Sequence, residues 1–193
     1  MTVRVMLVSP AASGPAREAR FDGGDGSGDG LDARGEARAR AVSGLPAADL
    51  VVRGPSARAL GTARALGVRA SPEPALADWD MGRWRGLRLD DVASSEPAAV
   101  AAWLGDPAAA PHGGESLAAL VGRAGGWLDG LPADAGRVLA VAGPAPVRAV
   151  LTHALGLPLE AFWRLDVAPL TLTRLSGRAG RWNLRVGEPL GAS

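Results

Sequence analysis

The opening stretch of the chain constrains its fold most strongly. Residues 3–10 read VRVMLVSP, a short run of valine, methionine and leucine that proline ends at its last position. Such a run is typical of a strand buried on both faces of a parallel sheet. Open α/β sheets place their chemistry just beyond the carboxyl ends of such strands. Here the turn at residues 9–13 reads SPAAS, which supplies no obvious nucleophile, base or phosphate cradle.

Two further segments follow the same plan. Asp49–Arg53 (DLVVR) and Arg137–Val141 (RVLAV) are apolar runs, each followed by a turn and a helical pattern. Because strands that alternate with helices build parallel sheets, we expect these two segments and Val3–Val8 to neighbour one another at the centre of one sheet. The sequence therefore predicts one three-layer α/β domain over residues 1–193.

Helices and a terminal hairpin complete the predicted domain. Helix formers and spaced apolar residues indicate the helices, and residues that alternate between apolar and polar indicate the hairpin strands. The predicted helices are Ala33–Leu45, a helix opened by Gly54-Pro55-Ser56 that runs to about Leu66, Leu89–Ser94, Pro97–Leu104, Glu115–Leu131 and about Val147–Leu155, with a helical turn in Pro158–Asp166; the predicted hairpin pairs Leu170–Leu175 with Arg181–Val186.

Composition excludes several classes of function. The chain has 193 residues and a formal net charge of +1, so it offers no electrostatic case for a nucleic-acid partner. It contains no cysteine, which excludes disulfides, thiolate metal sites and cysteine catalysis. No apolar run reaches about 18 residues, and the first residues lack the pattern of a secretory signal. We therefore expect no membrane partner and a cytoplasmic location.

An acidic, glycine-rich segment follows the first strand. Asp22–Gly30 reads DGGDGSGDG and contains no apolar residue, so it predicts a mobile loop. Alternating carboxylates could also indicate a calcium loop. The spacing matches neither the EF-hand nor a repeated glycine–aspartate unit, and no metal site is predicted.

Several charged side chains are candidates for a site. Arg58 lies in the first turn of a predicted helix, where it could contact an anion beside free backbone N–H groups or lie solvated at the surface. Asp78 and Asp80 could act as acid–base groups, cap a turn, or pair with Arg83 and Arg85.

The two histidines give no catalytic pattern of their own. His112 is expected at the surface, because it lies alone on a loop. His153 lies among apolar residues of a predicted helix, where packing is expected. Neither has a second histidine near it in sequence to form a metal pair.

Four segments share the wording of one known family. Met81–Leu87 (MGRWRGL) looks like its Phe-Gly-x-Trp-x-Gly-Leu, and Pro111–Ser116 contains its Gly-Gly-Glu-Ser. Residues 54–63 are similar to its Ser-Pro-x-x-Arg-Ala-x-x-Thr-Ala, and residues 31–37 to its Leu-Thr-x-x-Gly-x-x-Ala. In order and wording these segments resemble the histidine phosphatase superfamily. The resemblance implies the phosphoglycerate mutase-like fold, a three-layer α/β/α sandwich with a mainly parallel central sheet.

The resemblance also implies a reaction and the groups that carry it. In that family a histidine after the first strand attacks phosphorus and becomes phosphohistidine. A second histidine after the last parallel strand and two arginines neutralise the phosphoryl oxygens, and a carboxylic acid protonates the leaving group.

This chain departs from the family pattern at the decisive positions. On the resemblance, the family's arginine and nucleophilic histidine fall on Ser9 and Pro10, and the second histidine falls on Gly143. Arg58 keeps its family position, and Asp78 occupies that of the acid. Both histidines of this chain fall outside the catalytic positions.

The resemblance therefore implies a degenerate member of the family. Its first interpretation is an inactive pseudophosphatase that keeps the fold, needs no cofactor, and binds a small phosphorylated or other anionic ligand, or a protein partner. The predicted anion-binding residues are Arg58, Ser13 and Glu115. The alternative is an enzyme of non-phosphohistidine chemistry, or a residual phosphomonoesterase, that uses the same pocket with Ser9 and Asp78, so enzymatic activity stays open.

Overall fold

A computed structural model describes residues 2–13, 20–21 and 30–186 of the chain. The predicted mobile loop Asp22–Gly30 lies outside the described residues, except for Gly30 itself. Across the described ranges, the chain forms one mixed sheet with helices on both faces, as the sequence predicts.

Six strands form the sheet in the order β3-β2-β4-β1-β5-β6. The first four strands of that order are parallel to one another. β5 pairs antiparallel with β1, and β6 antiparallel with β5. The predicted central trio and the terminal hairpin are both confirmed. The strands are β1 (Val3–Val8), β2 (Leu50–Arg53), β3 (Ser71–Pro72), β4 (Arg137–Val141), β5 (Leu172–Arg178) and β6 (Arg181–Arg185).

The central position of β1 explains its nearly continuous apolar sequence. Val3, Val5 and Leu7 point into one core cluster, whereas Met6 and Val8 point into a second cluster on the other face. Both faces of the strand are covered, so no polar alternation is needed.

Within the described residues, six α-helices and three 3₁₀ turns surround the sheet. Asp32, Ser56 and Ser116 each accept a hydrogen bond from the backbone N–H three residues on, which fixes the start of three helices. The helices are α1 (Ala33–Arg40), α2 (Ala57–Ala65), α3 (Leu89–Ser95), α4 (Pro97–Gly105), α5 (Leu117–Asp129) and α6 (Pro144–Ala154), and the 3₁₀ turns are Pro74–Leu76, Gly82–Trp84 and Leu159–Arg164.

Helices α1 and α6 each differ from the prediction by three or more residues at one end, and α5 begins and ends two residues inside the predicted Glu115–Leu131. α1 ends at Arg40 rather than Leu45, because Gly44 adopts a φ of 75° and Pro46 disfavours a helical residue before it. α6 begins at Pro144, three residues before the predicted Val147, because proline is tolerated in a first helical turn.

Two clusters fill the layers, and a third closes the carboxyl edge. α5 and α6 cover the face that carries Val5 and Leu7, while Ala59 and Ala63 of α2 cover the other face. The third cluster comprises Met81, Trp84, Val92 and Trp103, from the segment between β3 and α5. It packs above the sheet layers and forms one wall of a cavity.

Candidate functional site

A cavity of about 270 Å³ lies beyond the carboxyl end of β4. Arg58 of α2 lines it, together with Asp78 from the loop after the first 3₁₀ turn. Pro144 and Ala145, at the start of α6, line it from a third side. This is the edge at which α/β sheets bind their ligands.

Arg58 is a buried cation of this cavity. The residue is 6% exposed, because Ser56 caps α2 and turns its first helical residues inward. Its Nη2 lies 3.8 Å from Asp78 Oδ1. The surface alternative for Arg58 is wrong, and the anion-contact interpretation stays a prediction.

Asp78 fills the space beside Gly143. A Cβ atom added at Gly143 would lie 1.8 Å from Asp78 Oδ1 and 3.5 Å from Arg58 Nη2. No side chain at position 143 therefore fits unless Asp78 moves. The Asp78 carboxylate therefore occupies the space through which a side chain at position 143 would approach Arg58.

The start of α6 offers few backbone N–H groups to an anion. Helix N-termini bind anions through free backbone N–H groups. Pro144 and Pro146 have no N–H, so Ala145 alone provides one among the first three helical residues. The cavity must therefore rely on side chains to hold negative charge.

The end of β1 is tied to the sheet rather than opened towards a ligand. Ser9 is 1% exposed, and its Oγ accepts a hydrogen bond of 3.0 Å from the Thr171 N–H. The same Oγ donates to the Ala168 carbonyl. These bonds join the end of β1 to the segment before β5, and Ser9 and Pro10 are not among the cavity-lining residues.

The two remaining predicted anion-binding residues also lie away from the cavity lining. Glu115 makes a bidentate pair with Arg123, at 2.8 and 2.7 Å. Ser13 is buried, and its Oγ has no hydrogen-bond partner among the described residues. The structure thus brings together Arg58, Asp78 and the backbone at Gly143 from the predicted set.

Sequence reasoning missed several residues that line the cavity. Arg148 lies on α6 one helical turn after Pro144, so it shares that face of the helix. This spacing could have identified it. Trp103 and Trp163 reach the cavity from segments far apart in sequence, and no local pattern joins them.

Asp80 serves the loop rather than the cavity. It accepts a hydrogen bond of 2.8 Å from the Gly82 N–H and pairs with Arg85 at 2.6 Å. The Gly82 hydrogen bond and the Arg85 guanidinium lower the pKa of the Asp80 carboxyl. Arg83 pairs instead with Glu96. Of the alternatives for Asp80, turn capping and pairing with Arg85 are confirmed.

His112 is buried, so its predicted surface position is wrong. It is 1% exposed, and its ring centroid lies 5.1 Å from that of Trp84. Its Nδ1 accepts a hydrogen bond of 3.0 Å from the Gly114 N–H. Sequence reasoning missed this because Gly82 lets the two loops approach too closely for a Cβ atom. Desolvation lowers the pKa of the His112 imidazole.

His153 joins α6 to α5. Its Nε2 lies 2.7 Å from Asp129 Oδ2, and its ring packs on Gly125, where an added Cβ would meet it at 2.2 Å. The packing role predicted for it is confirmed. Neither histidine of the chain lines the cavity.

The buried His112 predicts a specific pH dependence of stability. Its folded pKa lies below the unfolded value of about 6.5, so the unfolded chain binds more protons below that pH. The free energy of unfolding should therefore fall as the pH drops from about 7.5 to about 5.5. In urea unfolding, His112→Asn should show a smaller fall than the native protein. Parallel profiles for the two proteins would contradict this assignment.

The described residues contain neither a candidate metal centre nor a membrane-spanning helix. Among the described residues, no group of three or more histidine, cysteine, aspartate or glutamate side chains could hold a metal ion. In residues 2–13, 20–21 and 30–186, no helix has the length and apolar character to span a bilayer.

Known proteins of the same family match this sequence and fold. The histidine phosphatase superfamily (branch 1) model matches residues 13–188. A bifunctional protein of Mycobacterium tuberculosis is 31% identical over 130 residues, which make up 63% of this chain and 36% of that protein. Phosphoserine phosphatase 1 of Hydrogenobacter thermophilus is 30% identical over 108 residues, or 54% of this chain and 51% of that protein. The chain thus matches about half or less of these two relatives.

A solved structure matches nearly the whole chain. A mycobacterial glucosyl-3-phosphoglycerate phosphatase in complex with VO3 has a TM-score of 0.79 and 26% sequence identity. The match covers 95% of this chain and 97% of that one. Because the family model matches far more than half of the chain, the chain belongs to the histidine phosphatase superfamily, branch 1.

Proposed function

We propose that this chain is a pseudophosphatase, a family member that keeps the fold and the cavity but does not transfer phosphoryl groups through phosphohistidine. In this role it binds a small anionic ligand. The observation that carries the proposal is that neither of its two histidines lines the cavity.

The positions of the two histidines support the loss of the reaction. A phosphohistidine route needs an imidazole nitrogen within reach of phosphorus. One ring lies under Trp84 and hydrogen-bonds to the Gly114 backbone, and the other pairs with Asp129. On the family resemblance, Pro10 and Gly143 stand where the reaction needs histidine, and neither can act as nucleophile or cation.

The pairing of Arg58 with Asp78 argues against catalysis of phosphoryl transfer at this arginine. Phosphoryl transfer needs a cluster of cations aimed at the developing charge. Arg58 lies beside Asp78 at 3.8 Å, so part of its field is already neutralised. The family model begins to match at residue 13, after the turn that carries Ser9 and Pro10.

An anion is the ligand class that the comparisons support. The mycobacterial phosphatase of the same fold was solved with VO3, an oxyanion. Arg58 of this chain is buried and lines the cavity. We carry over the anionic character of the ligand and not its identity.

A second candidate function rests on the pairing of Arg58 with Asp78. Both line the cavity, so Asp78 could protonate a leaving group while Arg58 holds an anion. This arrangement still lacks a nucleophile, because the buried Ser9 Oγ is occupied by its bonds to the segment before β5.

Turnover of phenyl phosphate and a panel of phosphorylated metabolites tests the proposal. The native protein and an Arg58→Ala variant should show equal background rates after repeated purification. An exposed substitution, Arg164→Gln, serves as the matched control for handling. Turnover that survives repurification in the native protein and the control, but is lost in Arg58→Ala, would support the second candidate instead.

A further inference from the structure

We infer that the cavity takes an anion with a planar apolar body, such as an aryl phosphate or an aryl carboxylate. This inference rests on the proposed function, because it names the ligand class of the same site. Two buried donors without partners among the described residues and a wall of closely packed aromatic rings carry it.

Arg148 is a second cation that lines the cavity. Its guanidinium carbon lies 5.8 Å from the ring centroid of Phe162, which packs against it. Its carboxylate neighbour Asp166 is 3.8 Å away and fully exposed, so that pair contributes little. Its Nε is buried and has no acceptor among the described residues.

Trp103 supplies the second unpaired donor. The residue is 7% exposed and lines the cavity, and its Nε1 has no acceptor among the described residues. By contrast, Trp79 Nε1 donates to the Glu115 carbonyl at 2.7 Å. Leaving a buried donor without a partner is unfavourable, so an acceptor oxygen that reached either N–H group would be bound more tightly.

Aromatic rings packed edge-on or tilted against one another form the apolar wall. The ring centroids of Trp103 and Trp163 lie 4.9 Å apart, and those of Trp79 and Trp103 lie 5.5 Å apart. Phe162 packs edge-on against Trp163 at 5.2 Å. Such rings bind planar apolar groups well and sugar hydroxyls poorly, because hydroxyl groups lose water without gaining partners.

The charge and size of the cavity restrict the ligand further. Arg20, Arg58 and Arg148 line it against one carboxylate, Asp78. The volume of about 270 Å³ lies just below the usual range for small-molecule sites, which suits a ligand of one or two rings. The anionic oxygens would face Arg148 and Trp103, and the ring would lie against the tryptophan wall.

Calorimetric titration of the native protein with four probes tests the ligand class. Phenyl phosphate and benzoate should each bind at least about tenfold more tightly than glycerol phosphate and inorganic phosphate. The relative affinities of phenyl phosphate and benzoate show whether the site prefers a phosphate or a carboxylate as the anionic group. Equal affinities for phenyl phosphate and glycerol phosphate would overturn the inference.

Variants locate the site. Arg148→Gln should weaken phenyl phosphate binding at least about tenfold, whereas the exposed Arg164→Gln should leave it unchanged. Near-ultraviolet circular dichroism checks that both variants are folded. If Arg148→Gln is unfolded, Arg148→Lys replaces it in the binding measurement. Binding unaffected by both Arg148 variants would overturn the inference. Hydrolysis of phenyl phosphate during the titration would overturn the proposed function, whereas absence of ring selectivity without hydrolysis would overturn the ligand class alone.

Discussion

Replacing Trp84 with alanine should lower the free energy of unfolding by about 3–5 kcal/mol. Trp84 is 0% exposed and lies at the centre of the cluster that supports the cavity wall. Its ring contacts Phe21 at 5.8 Å and Trp103 at 5.7 Å, and its Nε1 donates to Glu96 at 3.3 Å. Alanine leaves a cavity that the surrounding rings cannot fill, because α3 and α4 hold them in place.

Urea unfolding of Trp84→Ala measures this effect. The control is Leu104→Ala, because Leu104 is 48% exposed at the end of α4 and should change stability by less than about 1 kcal/mol. A Trp84→Ala loss no larger than the control would show that the cluster does not stabilise the fold.

Ser9→Arg should be comparably destabilising, by about 3–5 kcal/mol, although it restores the residue that the family pattern has at this position. Ser9 is 1% exposed, and its Oγ bonds to Thr171 and Ala168 fill the space around it. A guanidinium there would be buried without a carboxylate partner in the described surroundings. The Thr171 N–H would lose its acceptor, whereas the Ala168 carbonyl keeps its hydrogen bond from Thr171 Oγ1.

The matched variants separate the added charge from the lost hydroxyl group. Ser9→Ala should cost about 1–3 kcal/mol, because it removes the hydrogen bonds alone. Ser94→Arg, on the exposed side of α3, should change stability by less than about 0.5 kcal/mol. If Ser9→Arg lowers the free energy of unfolding no more than Ser94→Arg does, the end of β1 can accommodate an arginine side chain, contrary to this prediction.

This result bears on whether the reaction can be restored. A triple variant with Ser9→Arg, Pro10→His and Gly143→His should remain inert towards phenyl phosphate. Its new imidazole at position 143 must displace Asp78, which lies 1.8 Å from the position of an added Cβ. We therefore expect the close fit of Asp78 against Gly143 to prevent these three side chains from forming a working site.

The sheet could be predicted from sequence because its signals are local. Val3–Val8 and Arg137–Val141 are continuous apolar runs, and burial on both faces of a central strand requires that pattern. Asp32 and Ser116 likewise mark helix starts through bonds to residues three positions away. Helix boundaries near proline were predicted less accurately, because α1 ends well before Pro46 whereas α6 begins at Pro144 itself.

The candidate site was predicted only in part, because its geometry depends on contacts between residues that are far apart in sequence. Arg58 and Asp78 could be named from position in the chain, but their 3.8 Å contact could not. The burial of His112 depends on close approach to Gly82, about thirty residues earlier, which no local pattern records. The tryptophan wall likewise joins segments that pack together only in the folded chain.

The central claim is that no phosphohistidine forms on this protein, and intact-mass measurement tests it most directly. The native protein is incubated with excess phenyl phosphate and quenched in alkali, which preserves phosphohistidine, beside an active member of the superfamily. We expect the active protein to gain the mass of one phosphoryl group and this protein to keep its unmodified mass. A phosphoryl adduct on His112 or His153 that appears with phenyl phosphate and is lost in Arg58→Ala would contradict the claim.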